Sequence, residues 1–96
     1  MGSLRYALQK DANQAEIVSA LESIGCSVKV MHAPCDLLVG YRGRNVLLEV
    51  KDGNKIPSKR KLTPDQMIFC AEWRGQYAVV ESVDEAIAAV QQATLR

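Results

Sequence analysis

Residues 36–51 carry the pattern of a β-hairpin, which sets the centre of the fold. Two apolar runs of strand length, residues 36–41 and 45–51, flank Arg42-Gly43-Arg44. We place Gly43 and Arg44 at the centre of a type II′ turn, because that turn favours glycine at its first central position. A hairpin alone is marginally stable in water, so other elements must cover one of its faces.

This register puts three charged side chains on one face of the hairpin. Asp36 then lies opposite Lys51, and Leu38 lies opposite Glu49. Side chains alternate between the two faces of a strand, so Asp36, Glu49 and Lys51 share a face. The other face is apolar and consists of Val46, Leu48 and Val50. We expect this apolar face to pack into the core.

Patterns on either side of the hairpin predict further helices and strands. Apolar residues at helical spacing indicate a first helix over residues 11–24, which Gly25 ends, and a short strand follows over residues 26–31. Thr63 as N-cap and Pro64 behind it are typical of the start of a second helix. Each of these signals is local, so together they give the order of elements but not their packing.

A strand over residues 77–81 and a last helix complete the pattern. The last helix opens at a capping box, Ser82-Val83-Asp84-Glu85, and its apolar stripe consists of Val83, Ile87 and Val90. The expected fold class is therefore α/β, in the order α-β-β-β-α-β-α, with a mixed sheet flanked by helices.

The length and composition exclude several classes of protein. With 96 residues, 48% of them hydrophobic and 24% charged, we expect one domain over residues 1–96 with a single core, and a tail over residues 1–10 that is free to be flexible. No apolar run reaches the roughly 18 residues of a membrane span and no leader sequence is evident, so we expect a cytoplasmic protein. Three cysteines without a C-x-x-C pair, and a single histidine, argue against disulfide scaffolds, zinc folds and nucleases that use a histidine pair.

The charge is sorted along the chain although the net charge is only +1. Residues 42–61 hold seven basic residues against two acidic ones, a net charge of +5, and the rest of the chain holds five against nine, a net charge of −4. Sorted charge suggests a polyanion partner, and a solvated surface loop is the alternative. The candidate DNA-binding residues are Arg42, Arg44, Lys55, Lys59, Arg60 and Lys61.

The charged face of the hairpin has the residue types that metal-dependent phosphodiester cleavage needs. Carboxylates at Asp36 and Glu49 can hold a hard divalent cation such as Mg²⁺, and the backbone carbonyl of Val50 can add a third ligand. Lys51 can orient the attacking hydroxide or offset charge that builds up on the phosphate. The alternative is a half-buried strand whose charged residues only face solvent.

Polar residues on the two helices are further candidates. Asn13 and Gln14 fall near the buried stripe of the first helix, where an acidic site would satisfy their amides. Asp11 is an N-cap or first-turn acid, Glu16 lies at the rim, and Gln66 is in the first turn of the second helix. We expect His32 and Trp73 to be structural and Cys70 to be in the core.

Four segments together resemble the VRR-NUC branch of the PD-(D/E)xK nucleases, and most closely its small stand-alone members from bacteriophages and prophages. The match covers about residues 11–90 and rests on Pro34-Cys35-Asp36-Leu37-Leu38-Val39-Gly40, Leu47-Leu48-Glu49-Val50-Lys51-Asp52-Gly53, Leu62-Thr63-Pro64-Asp65-Gln66 and Ser82-Val83-Asp84-Glu85-Ala86. The resemblance implies a restriction-endonuclease-like core, dependence on Mg²⁺ or Mn²⁺, and cleavage of branched DNA by a homodimer that resolves Holliday junctions.

The resemblance also assigns roles to individual residues. It implies that Asp36 and Glu49 are metal ligands, that Lys51 is the catalytic lysine, and that Gln66 supports the site near the phosphate. The family places one more acid on the first helix, a role that Asp11 or Glu16 could fill. One departure is that Cys35 stands between Pro34 and Asp36, where the family has proline directly before the aspartate. The alternative function is an inactive module with a nuclease fold that binds branched DNA.

Overall fold

The computed structural model describes residues 12–95, and within them the helices and strands follow the predicted order. Asp11 and the N-terminal tail lie outside the described residues. A short 3₁₀ turn, Pro57–Lys59, interrupts the loop before the second helix. The elements are α1 (Gln14–Ser23), β1 (Ser27–Val30), β2 (Leu37–Tyr41), β3 (Arg44–Val50), α2 (Pro64–Glu72), β4 (Tyr77–Val80) and α3 (Val83–Ala93).

The four strands form one mixed sheet in the order β1-β2-β3-β4, which confirms the predicted α/β class with a mixed sheet. Strands β1, β2 and β3 pair antiparallel, and β3 pairs parallel with β4. Because parallel neighbours need a crossover connection, the chain leaves β3, passes through α2 and returns along β4. No helix among residues 12–95 has the length and apolar character needed to cross a membrane.

The register predicted for the hairpin is wrong by two residues. The central turn residues are Arg42 and Gly43, with φ of 51° and 78°, so that Tyr41 pairs with Arg44 and Leu37 with Leu48. Positive φ at both central residues is typical of a type I′ turn, whose twist matches that of the strands. A shift of two leaves every paired side chain on its predicted face, so Glu49 stays on the face opposite Val46, Leu48 and Val50. Asp36 lies just before the paired residues, hydrogen-bonds to the backbone of Leu48 and Val50, and does not lie opposite Lys51.

Helices α1 and α3 cover one face of the sheet and form the core with it. Val46, Leu48 and Val50 are buried there, as the alternation predicted. Ile17 and Leu21 of α1 are fully buried against them, and α3 contributes Ala86, Val90 and Ala93. The predicted stripe of α3 is therefore partly correct, since Val83 and Ile87 pack only at the edge of the core.

The start of α3 is also partly as predicted. The Ser82 hydroxyl accepts a hydrogen bond from the Glu85 N–H, as in a capping box. The Glu85 carboxylate, however, accepts from the N–H of Glu81 and not from that of Ser82. The side chain thus ties the end of β4 to the first turn of α3.

Helix α2 lies on the other face of the sheet and contributes no buried residue. It meets the sheet through Phe69, whose ring packs edge-on against Tyr77 at a centroid distance of 5.4 Å and stacks on Trp73 at 5.3 Å. Met67 and Ile68 point outward and are more than half exposed. Cys70 is exposed as well, so the prediction of a core cysteine is wrong. The cause is the light packing of α2, which leaves the residue next to Phe69 outside any core.

Candidate active site

The candidate site lies where β3 ends, on the face opposite the core. Glu49 and Lys51 extend from this end of the strand and are 3% and 9% exposed. The Lys51 Nζ lies 3.8 Å from Glu49 Oε2. Both side chains belong to the face that α2 crosses, and burial there is unusual for charged groups, which are seldom buried unless they are paired.

The Asp36 carboxylate, just before β2, is held by the backbone of β3. Its Oδ2 accepts a hydrogen bond of 2.8 Å from the Val50 N–H, and the Asp36 N–H donates to the Leu48 carbonyl at 3.1 Å. The hairpin pairing ends at Leu37 and Leu48, so the carboxylate takes the place of a strand partner for Val50. The Asp36 carboxylate is thus bonded to the backbone of the residue that follows Glu49, at the end of the hairpin.

Gln66 connects the site to the first turn of α2. Its Nε2 donates to Glu49 Oε2 at 2.9 Å, and its Oε1 accepts from Lys51 Nζ at 2.9 Å. The same Oε1 accepts from the Thr63 N–H, while the Thr63 hydroxyl accepts from the Gln66 N–H, which completes a capping box. The amide can therefore point only one way, with its oxygen toward Lys51 and its nitrogen toward Glu49.

Thr63 and Gln66 have the spacing of a capping box in the sequence, whereas the prediction of a helix start rests on Thr63 and Pro64. A Thr-x-x-Gln pattern at a helix start predicts that the glutamine side chain folds back toward the N-terminus of the helix. That signal places the Gln66 amide at the end of α2 nearest β3. The hydrogen bonds from Gln66 to Glu49 and Lys51 can be recognised only in the tertiary structure.

The donor set is suited to a hard cation with few protein ligands. Two carboxylates and one backbone carbonyl offer oxygen only, which is what Mg²⁺ prefers. Within residues 12–95 no group of three or more histidines, cysteines, aspartates or glutamates is placed to hold a metal. Mg²⁺ commonly uses one or two carboxylates and completes its shell with water and substrate phosphate, so the residues present fit this ion.

Two neighbouring groups stay protonated at neutral pH. Burial, and next the charge of Glu49, raise the pKa of the Cys35 thiol to about 11. Burial and Glu49 likewise raise the pKa of the Tyr77 hydroxyl to about 12. The Cys35 thiol is turned to the Leu37 carbonyl, at 3.6 Å. Without a bound cation, neither residue therefore supplies an anion or a base near pH 7.

The residues proposed on the first helix separate into two groups. The Asn13 Nδ2 donates to the carbonyls of Lys51 and Glu81, at 3.1 and 3.0 Å, and so fixes the backbone where β3 and β4 end. Gln14 is buried next to it. Glu16 is exposed and lines a separate cavity of about 350 Å³, so the structure does not bring it to Asp36 and Glu49. Asp11 lies outside the described residues.

The basic loop, residues 52–62, joins the end of β3 to the start of α2 and therefore lies at the same end of the sheet as the candidate site. Lys59 and Lys61 are exposed, and no hydrogen bond or ion pair with another described residue holds either ammonium. Arg60 differs, since its Nη1 lies 3.1 Å from Glu81 Oε1 in a half-buried ion pair. Arg60 therefore anchors the loop to the end of β4, and the two lysines on either side of it remain available.

Arg42 and Arg44 are not part of that basic surface. They lie in and beside the hairpin turn, at the opposite end of β3 from Lys51. The seven residues of β3 span about 20 Å, since a strand rises about 3.3 Å per residue. Basic residues that are close in the sequence are thus divided between two ends of the sheet.

Comparisons with known proteins do not assign this site. No family model, no curated protein and no solved structure matches the chain. The chemistry of the site therefore follows from its own residues. Glu49, Lys51 and Gln66 are hydrogen-bonded or paired at the end of β3, and Asp36 is bonded to the backbone of the same strand.

Proposed function

We propose that this chain is a metal-dependent, structure-selective endodeoxyribonuclease. In this proposal it cleaves phosphodiester bonds in branched DNA of the Holliday-junction type, as a homodimer, with Mg²⁺ or Mn²⁺ as cofactor and in the cytoplasm. The observation that supports it is the buried pair of Glu49 and Lys51, bridged by Gln66 beside Asp36.

Burial of these groups is costly for stability, which favours a functional explanation. A buried ion pair is often no more stable than a well-packed apolar pair of the same volume, because desolvation offsets the attraction. Glu49 and Lys51 belong to the face away from the core, where an exposed position would cost little. Perturbed and buried ionisable groups concentrate at functional sites.

The residues have distinct roles in the proposed reaction. A divalent cation held by Asp36 and Glu49, with the Val50 carbonyl, would supply an activated water near neutral pH and offset charge on the scissile phosphate. Glu49 presents its carboxylate from a strand that is fixed on both sides by its neighbours in the sheet. Such fixed placement matters, because catalysis depends on groups that need little rearrangement.

Lys51 and Gln66 would act on the phosphate side of the site. The Lys51 ammonium can stabilise negative charge that develops on the phosphate oxygens. Gln66 holds that ammonium and the Glu49 carboxylate at once, so it acts as a positioning residue before substrate arrives. When the Lys51 ammonium binds a substrate phosphate, the Gln66 Oε1 still accepts a hydrogen bond from the Thr63 N–H.

The fold is consistent with this proposal at the level of element order. We propose that the mixed sheet, with α1 and α3 on one face and α2 on the other, is a restriction-endonuclease-like core. In that core the acids lie at the end of a hairpin and the following helix adds a polar residue, as β2, β3 and α2 do here.

Homodimerisation follows from the proposed substrate. Two symmetric cuts across a junction need two active sites, and one chain supplies one site, so a two-fold dimer is required. Met67 and Ile68 support this proposal, since both are apolar, more than half exposed and on a helix that buries nothing in its own chain. Exposed apolar side chains in one patch are typical of a surface that binds another protein.

Cleavage assays test the function directly. Labelled four-way junction, flap and linear duplex DNA are each incubated with the protein and Mg²⁺, Mn²⁺ or EDTA. We expect paired, symmetric nicks in the junction with either metal and none with EDTA. Binding to the junction without cutting, under every metal tried, would contradict the proposed activity and favour the inactive binding module.

We predict that the basic loop contributes phosphate contacts through Lys59 and Lys61. The double variant Lys59→Gln/Lys61→Gln should weaken binding to DNA on the order of tenfold, and should make the slope of log affinity against log salt shallower by about 1.8. Arg60 is left unchanged because it pairs with Glu81. Fluorescence anisotropy over a salt series measures both quantities.

The matched control is Ser58→Ala, which changes an exposed, uncharged residue of the same loop. It should leave the affinity and the slope close to those of the unaltered protein. Unchanged binding by the double loop variant would mean that the loop is a solvated surface turn and does not contact DNA.

A further inference from the structure

Three arginines surround the end of the sheet that the proposed reaction does not use. Arg42 is a central residue of the hairpin turn, Arg44 begins β3, and Arg74 lies between α2 and β4. All three are exposed. Within the described residues, none of the three guanidinium groups forms a hydrogen bond or an ion pair. Arg60, at the other end, is by contrast paired with Glu81.

The described residues that line two cavities beside Arg42 and Arg74 include no acid. A cavity of about 340 Å³ includes Arg74 and Gln76, and another of about 530 Å³ includes Arg42 and Gln91; Gln92 of α3 borders both. None of the described residues that line the two cavities is a carboxylate. The positive charge there is not neutralised from within the described chain, and the nearby amides can donate hydrogen bonds to the same anion.

The end of α3 does not account for the arginines. Cations often stabilise the carbonyls at a helix C-terminus. Here the Gln91 carbonyl accepts from the Thr94 N–H and hydroxyl, at 3.1 and 2.7 Å, and the Gln92 carbonyl accepts from the Leu95 N–H at 3.2 Å. Arg42 instead lies over the Tyr41 ring, with its Cζ 5.2 Å from the ring centroid. That contact orients the guanidinium without using its N–H donors.

The arginines lie at a distance from the candidate active site and on another side of the sheet. Arg44 shares a face with Val46, which packs against the helices, whereas Glu49 is on the opposite face. The length of β3, about 20 Å, also separates Arg44 from the end that holds Glu49. A straight duplex bound across the Glu49 face would therefore not contact the three arginines. A branched molecule has arms that leave in different directions and can reach both surfaces.

We propose that Arg42, Arg44 and Arg74 form a second nucleic-acid surface, which binds the phosphate backbone of a different duplex arm from the one at Glu49. This inference rests on the proposed function and adds to it a physical basis for the preference for branched DNA. Guanidinium groups suit this role, because they bind phosphate through two parallel N–H donors. The contacts carry no base sequence, so selectivity comes from the directions of the arms.

The test compares binding to a four-way junction with binding to a linear duplex of equal length, by fluorescence anisotropy in EDTA, so that no cutting occurs. The variant is Arg42→Asn/Arg44→Gln/Arg74→Gln, in which asparagine tolerates the left-handed conformation of the turn. We expect affinity for the junction to fall on the order of tenfold or more, with a salt slope shallower by about 2.7. Affinity for the linear duplex should change by less than about twofold.

The single variants Arg44→Gln and Arg74→Gln keep the test valid if the triple variant is unstable, and each should reduce the slope for the junction by about 0.9. The loop variant Lys59→Gln/Lys61→Gln is the matched control, since it should weaken binding to both DNAs. Unchanged binding to the junction, or equal losses on junction and duplex, would overturn the second surface alone. If the unaltered protein binds neither DNA, the proposed nuclease function itself fails.

Discussion

Replacement of Glu49 by glutamine should remove metal-dependent cleavage of junction DNA. Groups one step out from a bound metal commonly cost 10–100-fold in affinity or activity, so loss of a direct ligand should cost about a hundredfold or more. Glutamine has nearly the same shape and can still accept from Gln66 Nε2, which reaches Glu49 at 2.9 Å. The native fold should be kept at a lower stability, because the Lys51 ammonium loses its counter-charge at 3.8 Å, and circular dichroism and thermal unfolding check both points.

The control for this variant is Glu72→Gln on α2, where the carboxylate is exposed. It removes the same charge without touching the cluster, so cleavage should be unchanged. A Glu49→Gln protein with a native spectrum and full activity would show that this carboxylate is not part of an active site. Restored activity at raised Mn²⁺ would instead agree with a weakened metal site.

Much of the fold follows from local patterns in the sequence. Alternation in residues 45–51 predicts the core face of β3 correctly, although Leu47 and Glu49 on the other face are buried too, and Thr63 marks the start of α2. The hairpin register failed because the turn uses Arg42 in a left-handed conformation, which glycine and asparagine adopt more readily. An error of two residues leaves the period of two intact, so the prediction that Glu49 lies on the face away from Val46, Leu48 and Val50 is unaffected.

The parts that could not be predicted depend on contacts distant in sequence. The sequence groups Arg60 with its lysine neighbours, but Glu81 at the end of β4 pairs with it. Residues 42–61 form one basic segment in the sequence, whereas the length of β3 places Arg44 far from Lys59. Cys70 looked like a core residue by type, and only the packing of α2 shows that it is exposed. The sequence shows which charged and polar side chains are present, and the strand order and helix packing determine which of them come into contact.

Replacement of Lys51 by methionine should affect activity and stability together. Cleavage should fall by about 10²–10³-fold, since a fixed positive group is lost where charge develops. Methionine keeps the length of the alkyl chain but removes the ammonium that lies 3.8 Å from the carboxylate of Glu49, which is 3% exposed. Removal of one partner of a buried ion pair typically costs about 3 kcal/mol or more of unfolding free energy. Chemical denaturation and the junction assay measure the two effects.

The double variant Glu49→Gln/Lys51→Met separates the two effects. It has no buried charge at this site, so it should regain most of the stability that Lys51→Met loses, while cleavage stays absent. Recovery of stability without activity would mean that the charges are kept for chemistry at a cost to the fold, as expected of an active site. If the double variant is no more stable than Lys51→Met, the pair is not desolvated, and the burial argument for a functional site fails.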